Sequence, residues 1–160
     1  MPLVARIAVH GQPEQVLVER GIELPPVRRD DLAAMRRVGQ VLYTPGVLPW
    51  WGEELRYMGA VDDARSIRDA YRAAQLCMHN IIGLVRAELG SLDRVQQLFQ
   101  LNVLVACSDR FENPGRVADG ASEAAFKVFA AGGRHRRDVV ATRELTAGAT
   151  VQVSAILRVQ

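Results

Sequence analysis

The strongest pattern along the chain is helical. Between Asp62 and Leu89 the apolar residues Ile67, Ala70, Tyr71, Ala74, Cys77, Met78, Ile81, Val85 and Leu89 recur at helical spacing, so they line one side of a long helix that ends at Gly90. A second such stretch opens at Asn113-Pro114, carries Val117, Ala121, Ala125 and Val128 on one face, and closes at Gly132-Gly133. Elsewhere the period is two. The run VQQLFQLNVLVAC alternates polar Gln100 and Asn102 with apolar Phe99, Leu101 and Val103, as a half-buried strand does. In TVQVSAILRV, Val151, Val153, Ala155, Leu157 and Val159 share one face, while Gln152, Ser154 and Arg158 take the other. A further strand is predicted at about 138–144, and DLAAMRRV and VLYT read as two short strands about a turn at Gly39-Gln40.

Pro25-Pro26 and the charged VRRDD set off residues 1–30 as an N-terminal arm, helical over 13–20, from a domain at 31–160. The segment PGVLPWWGEELRYMG reads as an aromatic loop. Its Trp50, Trp51 and Tyr57 call for a cover, which is a pocket, a subunit contact or the loop's own domain. Two strands, a helix, a strand, a helix and two strands predict an α+β fold with the helices on one sheet face. The opposite face mixes polar and apolar residues, which points to a partner subunit in a closed cyclic assembly.

Composition narrows the chemistry. With 160 residues and 49% apolar content the chain has enough material for one core. Its formal charge is +2 and the basic residues are spread along the sequence, so nucleic acid is not expected as a partner. No stretch resembles a signal peptide or a membrane span, so a cytoplasmic protein without membrane attachment is expected. Cys77 and Cys107 lack zinc-site spacing, and His10, His79 and His135 form no ligand pair, so neither metal nor cofactor is expected. The concentrated chemical signal is GGRHRRDVV, Gly132 to Val140, which is a solvated charge run unless its neighbours organise it.

Three segments, LGSLDRVQQLFQLNVLVACSDRF, VADGASEAAFKVF and RHRRDVVATRELTAGATVQVSAI, together resemble the reactive intermediate deaminase (RidA, also YjgF) family over roughly residues 32–159. The N-terminal arm is similar to the extension of a longer subfamily. The resemblance implies a chorismate-mutase-like fold assembled as a homotrimer, with a small-molecule cleft at each subunit interface where enamines or imines are hydrolysed to ketones and ammonia. It places Arg137 at the arginine that grips a substrate carboxylate, a task for which a planar fork of charged donors suits. It places Gly46, in TPGVLP, at the glycine of an early loop whose backbone approaches the ligand.

Four positions depart from the family's pattern. Gln152 stands where a glutamate would hold the hydrolytic water, Asp119 where asparagine is usual, Pro45 where a serine precedes the loop glycine, and Leu32 where a tyrosine tops the pocket. An amide hydrogen-bonds but does not act as a base. The departures imply a retained site with altered chemistry: Arg137 as anion clamp, Asp119 as proton shuttle, Gln152 as orienting hydrogen-bonder, Pro45 and Leu32 as lining, Trp50 and Trp51 as lid. The expected function is an enzyme of specialised metabolism that takes a reactive enamine, imine or related carbonyl intermediate, keeps it dry, and directs it to tautomerisation, condensation or cyclisation. A hydrolytic deaminase and a non-catalytic trimer that binds a carboxylate metabolite are the alternatives. RNA cleavage rests only on RHRR, without interleaved aromatic residues.

Overall fold

The computed structural model describes residues 12–62 and 64–160. Its strands are β1 (Arg36–Val38), β2 (Val41–Tyr43), β3 (Trp50–Trp51), β4 (Glu54–Leu55), β5 (Val95–Ala106), β6 (Arg136–Thr142) and β7 (Val151–Val159). The helices are α1 (Pro13–Glu19), α2 (Arg29–Ala33), α3 (Ala64–Leu89) and α4 (Pro114–Phe129). One five-stranded sheet runs β1-β2-β7-β5-β6, and β3 and β4 form a separate hairpin. Neighbours in the large sheet are antiparallel except β5 and β6, which are parallel and joined through α4.

Strand β7 sits at the centre because its alternation suits a face packed against helices. Val151, Val153, Ala155, Leu157 and Val159 are all at most 1% exposed. Opposite them on β5 lie Val105, Val103 and Leu101, also fully buried. The buried stripe of α3, with Met78, Ile81, Ile82 and Val85, closes the core over this face. This is the expected α+β arrangement, with both long helices on one side of the sheet.

Several expected boundaries move, each for a physical reason. DLAA is not strand: Leu32 and its neighbours form the short helix α2, and the hairpin starts only at Arg36, turning through Gly39 at φ 59. Phe99 does not share a face with Leu101. Bulges in the β5–β7 ladder between Val95 and Gln97 and between Leu98 and Gln100 shift the phase, so Leu98 is buried and Phe99 is 43% exposed. Helix α4 ends at Ala130, whose φ of 49 breaks the helix before the glycines, and Gly132-Gly133 lie in a 3₁₀ turn. The aromatic stretch contains the β3–β4 hairpin. Strand β6 begins at Arg136, two residues earlier than expected.

Residues 12–30 of the N-terminal arm pack on the body. Leu17 joins the core, while the Glu14 carboxylate accepts the backbone N–H of Leu92 at 2.9 Å and meets Arg86 at 3.0 Å. Residues 1–11, His10 among them, lie outside the described residues. No described helix is long and apolar enough to cross a membrane. Among the described residues no three His, Cys, Asp or Glu side chains gather as a metal site would require.

The two long helices touch through small residues. A Cβ on Gly120 of α4 would stand 2.1 Å from the carbonyl oxygen of Tyr71 and 3.3 Å from the Ala74 Cβ on α3. Backbone cannot retreat as a flexible side-chain end does, so Gly120→Ala must push the helices apart. We expect a loss of about 1–3 kcal/mol, typical of overpacking, read as a fall of about 2–4 °C in Tm per kcal/mol for a domain of this size. An unchanged Tm would contradict the close helix contact.

Candidate functional site

Strand alternation sorts the basic cluster. Along residues 134–140 exposed and half-buried positions alternate, with Arg134 and Arg136 exposed and His135 and Arg137 half-buried. In the β5–β6 register Arg137 stands opposite the buried Leu101, so its side chain leaves the sheet on the helix side. Helix α4 lies above it. Gly115, Asp119 and Ser122, four and three residues apart, share one helix face and supply the acceptors. Arg137 Nη1 donates to Asp119 Oδ1 at 2.8 Å and to Ser122 Oγ at 3.2 Å, and Nη2 donates to the Gly115 carbonyl at 3.3 Å.

His135 continues this network. Its Nδ1 lies 2.6 Å from the Gly133 carbonyl, which only accepts, so Nδ1 carries the proton. Ser122 Oγ lies 2.9 Å from Nε2 and already accepts from Arg137, so in the neutral ring its hydroxyl proton points to Nε2. The donors therefore run one way, from Arg137 to Ser122 to His135 to the Gly133 carbonyl. Phe126 packs beside the imidazole, with ring centroids 5.3 Å apart. Ser122 was not among the residues singled out from the sequence. Its signal is its place one turn beyond Asp119, on the face of α4 that covers β6.

Asp119 also lines a cleft of about 460 Å³ between α3 and α4, together with Ile67, Arg68, Tyr71, Arg116 and Glu123. The Tyr71 hydroxyl donates to Glu123 Oε2. That hydrogen bond, followed by desolvation and the carboxylates of Glu123 and Asp119, pushes the phenol up to about 12. Tyr71 thus remains a committed donor at neutral pH.

Gln152 lies elsewhere. It stands opposite Leu104 on β5 and faces away from the helices, as do Ser154 and Asn102, whose side chains are 3.4 Å apart. Gly46 runs directly beside it. A Cβ on Gly46 would fall 2.3 Å from Gln152 Nε2 and 2.8 Å from its Cδ, so only glycine lets the loop lie this close. The next residue, Val47, exchanges backbone hydrogen bonds with Val153 at 2.7 and 2.9 Å, and the Thr44 hydroxyl donates to the Pro45 carbonyl while accepting the N–H of Ala155. The TPGV segment is therefore pinned along β7.

The remaining site candidates sit apart from both groups. Trp50 lies under Arg28, whose guanidinium carbon is 3.8 Å from the ring centroid, and its carbonyl accepts from buried Asn80 on α3 at 2.7 Å. Trp51 faces Arg56 and borders a cleft of about 260 Å³ that includes Tyr57, Arg72 and His79. Desolvation first, and then the Lys127 charge, hold the His79 imidazole below its ordinary value. Leu32 packs against the core from α2. Within one chain the structure brings together Arg137 with Asp119, and Gly46 with Gln152 and Pro45. It does not join these two groups, and it engages the tryptophans with arginines.

The family model described as "YjgF/chorismate mutase-like, putative endoribonuclease" matches residues 14–154. The chain belongs to the YjgF family. Protein TCP17 of Trypanosoma cruzi is 30% identical over 154 residues, covering 94% of this chain and 96% of that protein. The solved Agrobacterium tumefaciens protein Atu1372, of unknown function, is 32% identical with a TM-score of 0.83 over 92% of both chains. A Shewanella oneidensis MR-1 structure, described in the same endoribonuclease terms as the family, is 25% identical with a TM-score of 0.86, covering 93% of this chain and all of that one.

In this YjgF-family chain Ser122 is the hinge of the Arg137 network, being both acceptor for the guanidinium and partner of the imidazole while only 7% exposed. Ser122→Ala leaves both neighbours short of a bond. A cost of about 0.5–1.5 kcal/mol is expected, the usual net worth of a hydrogen bond whose partners keep some access to water, measured by urea unfolding. A variant as stable as the wild type would show that the chain of donors carries no energy.

Proposed function

We propose that this YjgF-family protein is a homotrimeric small-molecule enzyme whose ligand is a reactive enamine, imine or related carbonyl intermediate. The proposed site is composite, with the Arg137–Asp119 half of one protomer facing the Gly46–Gln152 half of its neighbour. The two halves leave one chain on opposite sides of the sheet, which supports a second copy completing the site. The uncovered sheet face supports it too, since Tyr43 and Val140 are 43% and 52% exposed there. They share that face with Ile156 and Leu104, their partners in the strand register.

The observation that carries the chemistry is Gln152. The residue held against the loop glycine is an amide, and an amide orients a ligand or a water but takes no proton from it. A reactive enamine held at such a site, in a water-poor interface, tautomerises, condenses or cyclises instead of adding water. We place this in specialised metabolism. Hydrolysis to a ketone and ammonia is the competing reading, and plain ligand binding by the trimer is the third. Within a protomer the rings of Trp50 and Trp51, the proposed lid, lie against Arg28 and Arg56.

Gln152→Glu distinguishes these readings. A carboxylate at this position accepts a proton from the attacking water, help worth typically about 10²–10⁴-fold. The variant is therefore expected to release ammonia from a freshly generated enamine acid, such as 2-aminoacrylate, well above the spontaneous rate, while the wild type does not. Equal ammonia release by the wild type would establish the hydrolytic deaminase. Release by neither protein above the spontaneous rate, with no other product formed, would establish the binding protein.

A further inference from the structure

The cleft of about 260 Å³ that Trp51 borders lies between the β3–β4 hairpin and one stripe of α3. Gln75, Leu76 and His79 follow Arg72 by three, four and seven residues, so all four fall on one helix face. The hairpin and the residues after it contribute Trp51, Arg56 and Tyr57. Tyr57 has φ 61, the left-handed region that glycine occupies without strain. It is held there by its neighbours: the Arg56 N–H donates to the Pro49 carbonyl at 3.0 Å, and the Thr150 N–H donates to the Tyr57 carbonyl at 3.2 Å. A strained residue with a large side chain points to a use for that side chain, and this phenol borders the cleft.

The polar groups of this lining are uncommitted. Among the described residues, the Trp51 indole, the Tyr57 hydroxyl and the side chains of Arg72, Gln75 and His79 have no hydrogen-bond partner within the chain. In the α3–α4 cleft, by contrast, Tyr71 is bound to Glu123 and Asp119 to Arg137. Among the described residues no carboxylate lines the hairpin cleft. Glu54 reaches Arg56 at 4.0 Å from a side chain 72% exposed, where water screens the pair. The imidazole of His79, held low by desolvation and the Lys127 charge, is neutral at physiological pH and offers one N–H and one lone pair. The lining thus combines two guanidinium charges and further donors with the rings of Trp51 and Tyr57 and the buried Leu76.

We infer that this cleft is a second binding site, for a small planar acid whose carboxylate is held by Arg56 and Arg72 and whose conjugated ring lies along Trp51 and Tyr57. It goes beyond the site proposed above, since Arg137, Asp119, Gly46 and Gln152 do not line it. The planar donor forks of the two arginines match a carboxylate. The indole and phenol present flat faces and edges that favour another aromatic ring. A cation entering the same cleft would meet both guanidinium charges with no carboxylate among the lining groups.

The test titrates benzoate, cyclohexanecarboxylate and benzylammonium calorimetrically into the wild type and into Arg137→Met, which disables the site proposed above; Arg137→Gln serves if the methionine variant does not fold. Arg137→Met is expected to bind benzoate saturably, cyclohexanecarboxylate more weakly and benzylammonium not at all. Adding Arg72→Gln, at an exposed position where glutamine continues the helix, is expected to weaken benzoate about tenfold or more, the scale of one lost charge-assisted hydrogen bond. Adding Trp51→Leu instead is expected to abolish the preference for benzoate over cyclohexanecarboxylate, and Tyr57→Leu serves if that variant does not fold. Benzoate binding by the wild type that disappears in Arg137→Met would overturn the inference and leave the Arg137 site standing. Binding by Arg137→Met that is indifferent to Arg72→Gln, a preference for benzylammonium, or no saturable benzoate binding by any of these proteins would overturn the inference, while the proposed function keeps its own test in Gln152→Glu.

Discussion

Two parallel strands cannot be joined by a tight turn, and that constraint governs the molecule. The chain leaves β5, crosses over through α4 and returns as β6 alongside β5. The crossover helix must lie on one face of the sheet, so each β6 residue that shares a face with Leu101 comes to rest beneath it. Arg137 is such a residue, and the α4 face above it carries Gly115, Asp119 and Ser122. The same arrangement leaves the other face without a helix among the described residues, and Gln152, Ser154 and Asn102 look out from it. Two chemically distinct surfaces therefore arise from one topological requirement.

Most of this frame is legible in the sequence. The stripe of α3 and the alternation of β7 need no tertiary information, because each pattern reports a surface buried along its whole length. The errors fall where tertiary contacts override a short local pattern. DLAA is helical because four residues hold too little periodicity to decide. Phe99 faces outward because two bulges change the phase of β5, and a bulge has no dependable composition. In RHRR resemblance singles out Arg137, and the alternation leading into β6 gives the physical reason, setting exposed Arg134 and Arg136 apart from half-buried His135 and Arg137. Ser122 escaped notice because a lone serine in a helix carries no signal until the strand it covers is known.

The site candidates divide along the same line. Gly46 and Gln152 were each assigned to the site by resemblance, and the structure sets them side by side, the loop so close that a methyl group would collide with the amide. Arg137 and Asp119 were expected as separate agents, a clamp and a proton carrier, whereas the structure pairs them. The pairing engages three of the five guanidinium N–H groups of Arg137, through Asp119, Ser122 and the Gly115 carbonyl. With an amide at residue 152, Asp119 is the one carboxylate among the site residues singled out from the sequence.

The central claim is that the Arg137–Asp119 half and the Gly46–Gln152 half meet only across a subunit interface. Complementation between two impaired variants tests it most directly. Arg137→Met disables one half, and Gly46→Phe fills the other with a side chain. Each alone should bind a small carbonyl acid such as 2-oxobutanoate poorly. If the site is composite, subunits of the two variants mixed in equal amounts and reassembled at random regain about a quarter of the wild-type binding sites, since each intact site draws its two halves from neighbouring copies in a cyclic assembly. Recovery no greater than the sum of the two parents would contradict the account and confine the site to a single chain.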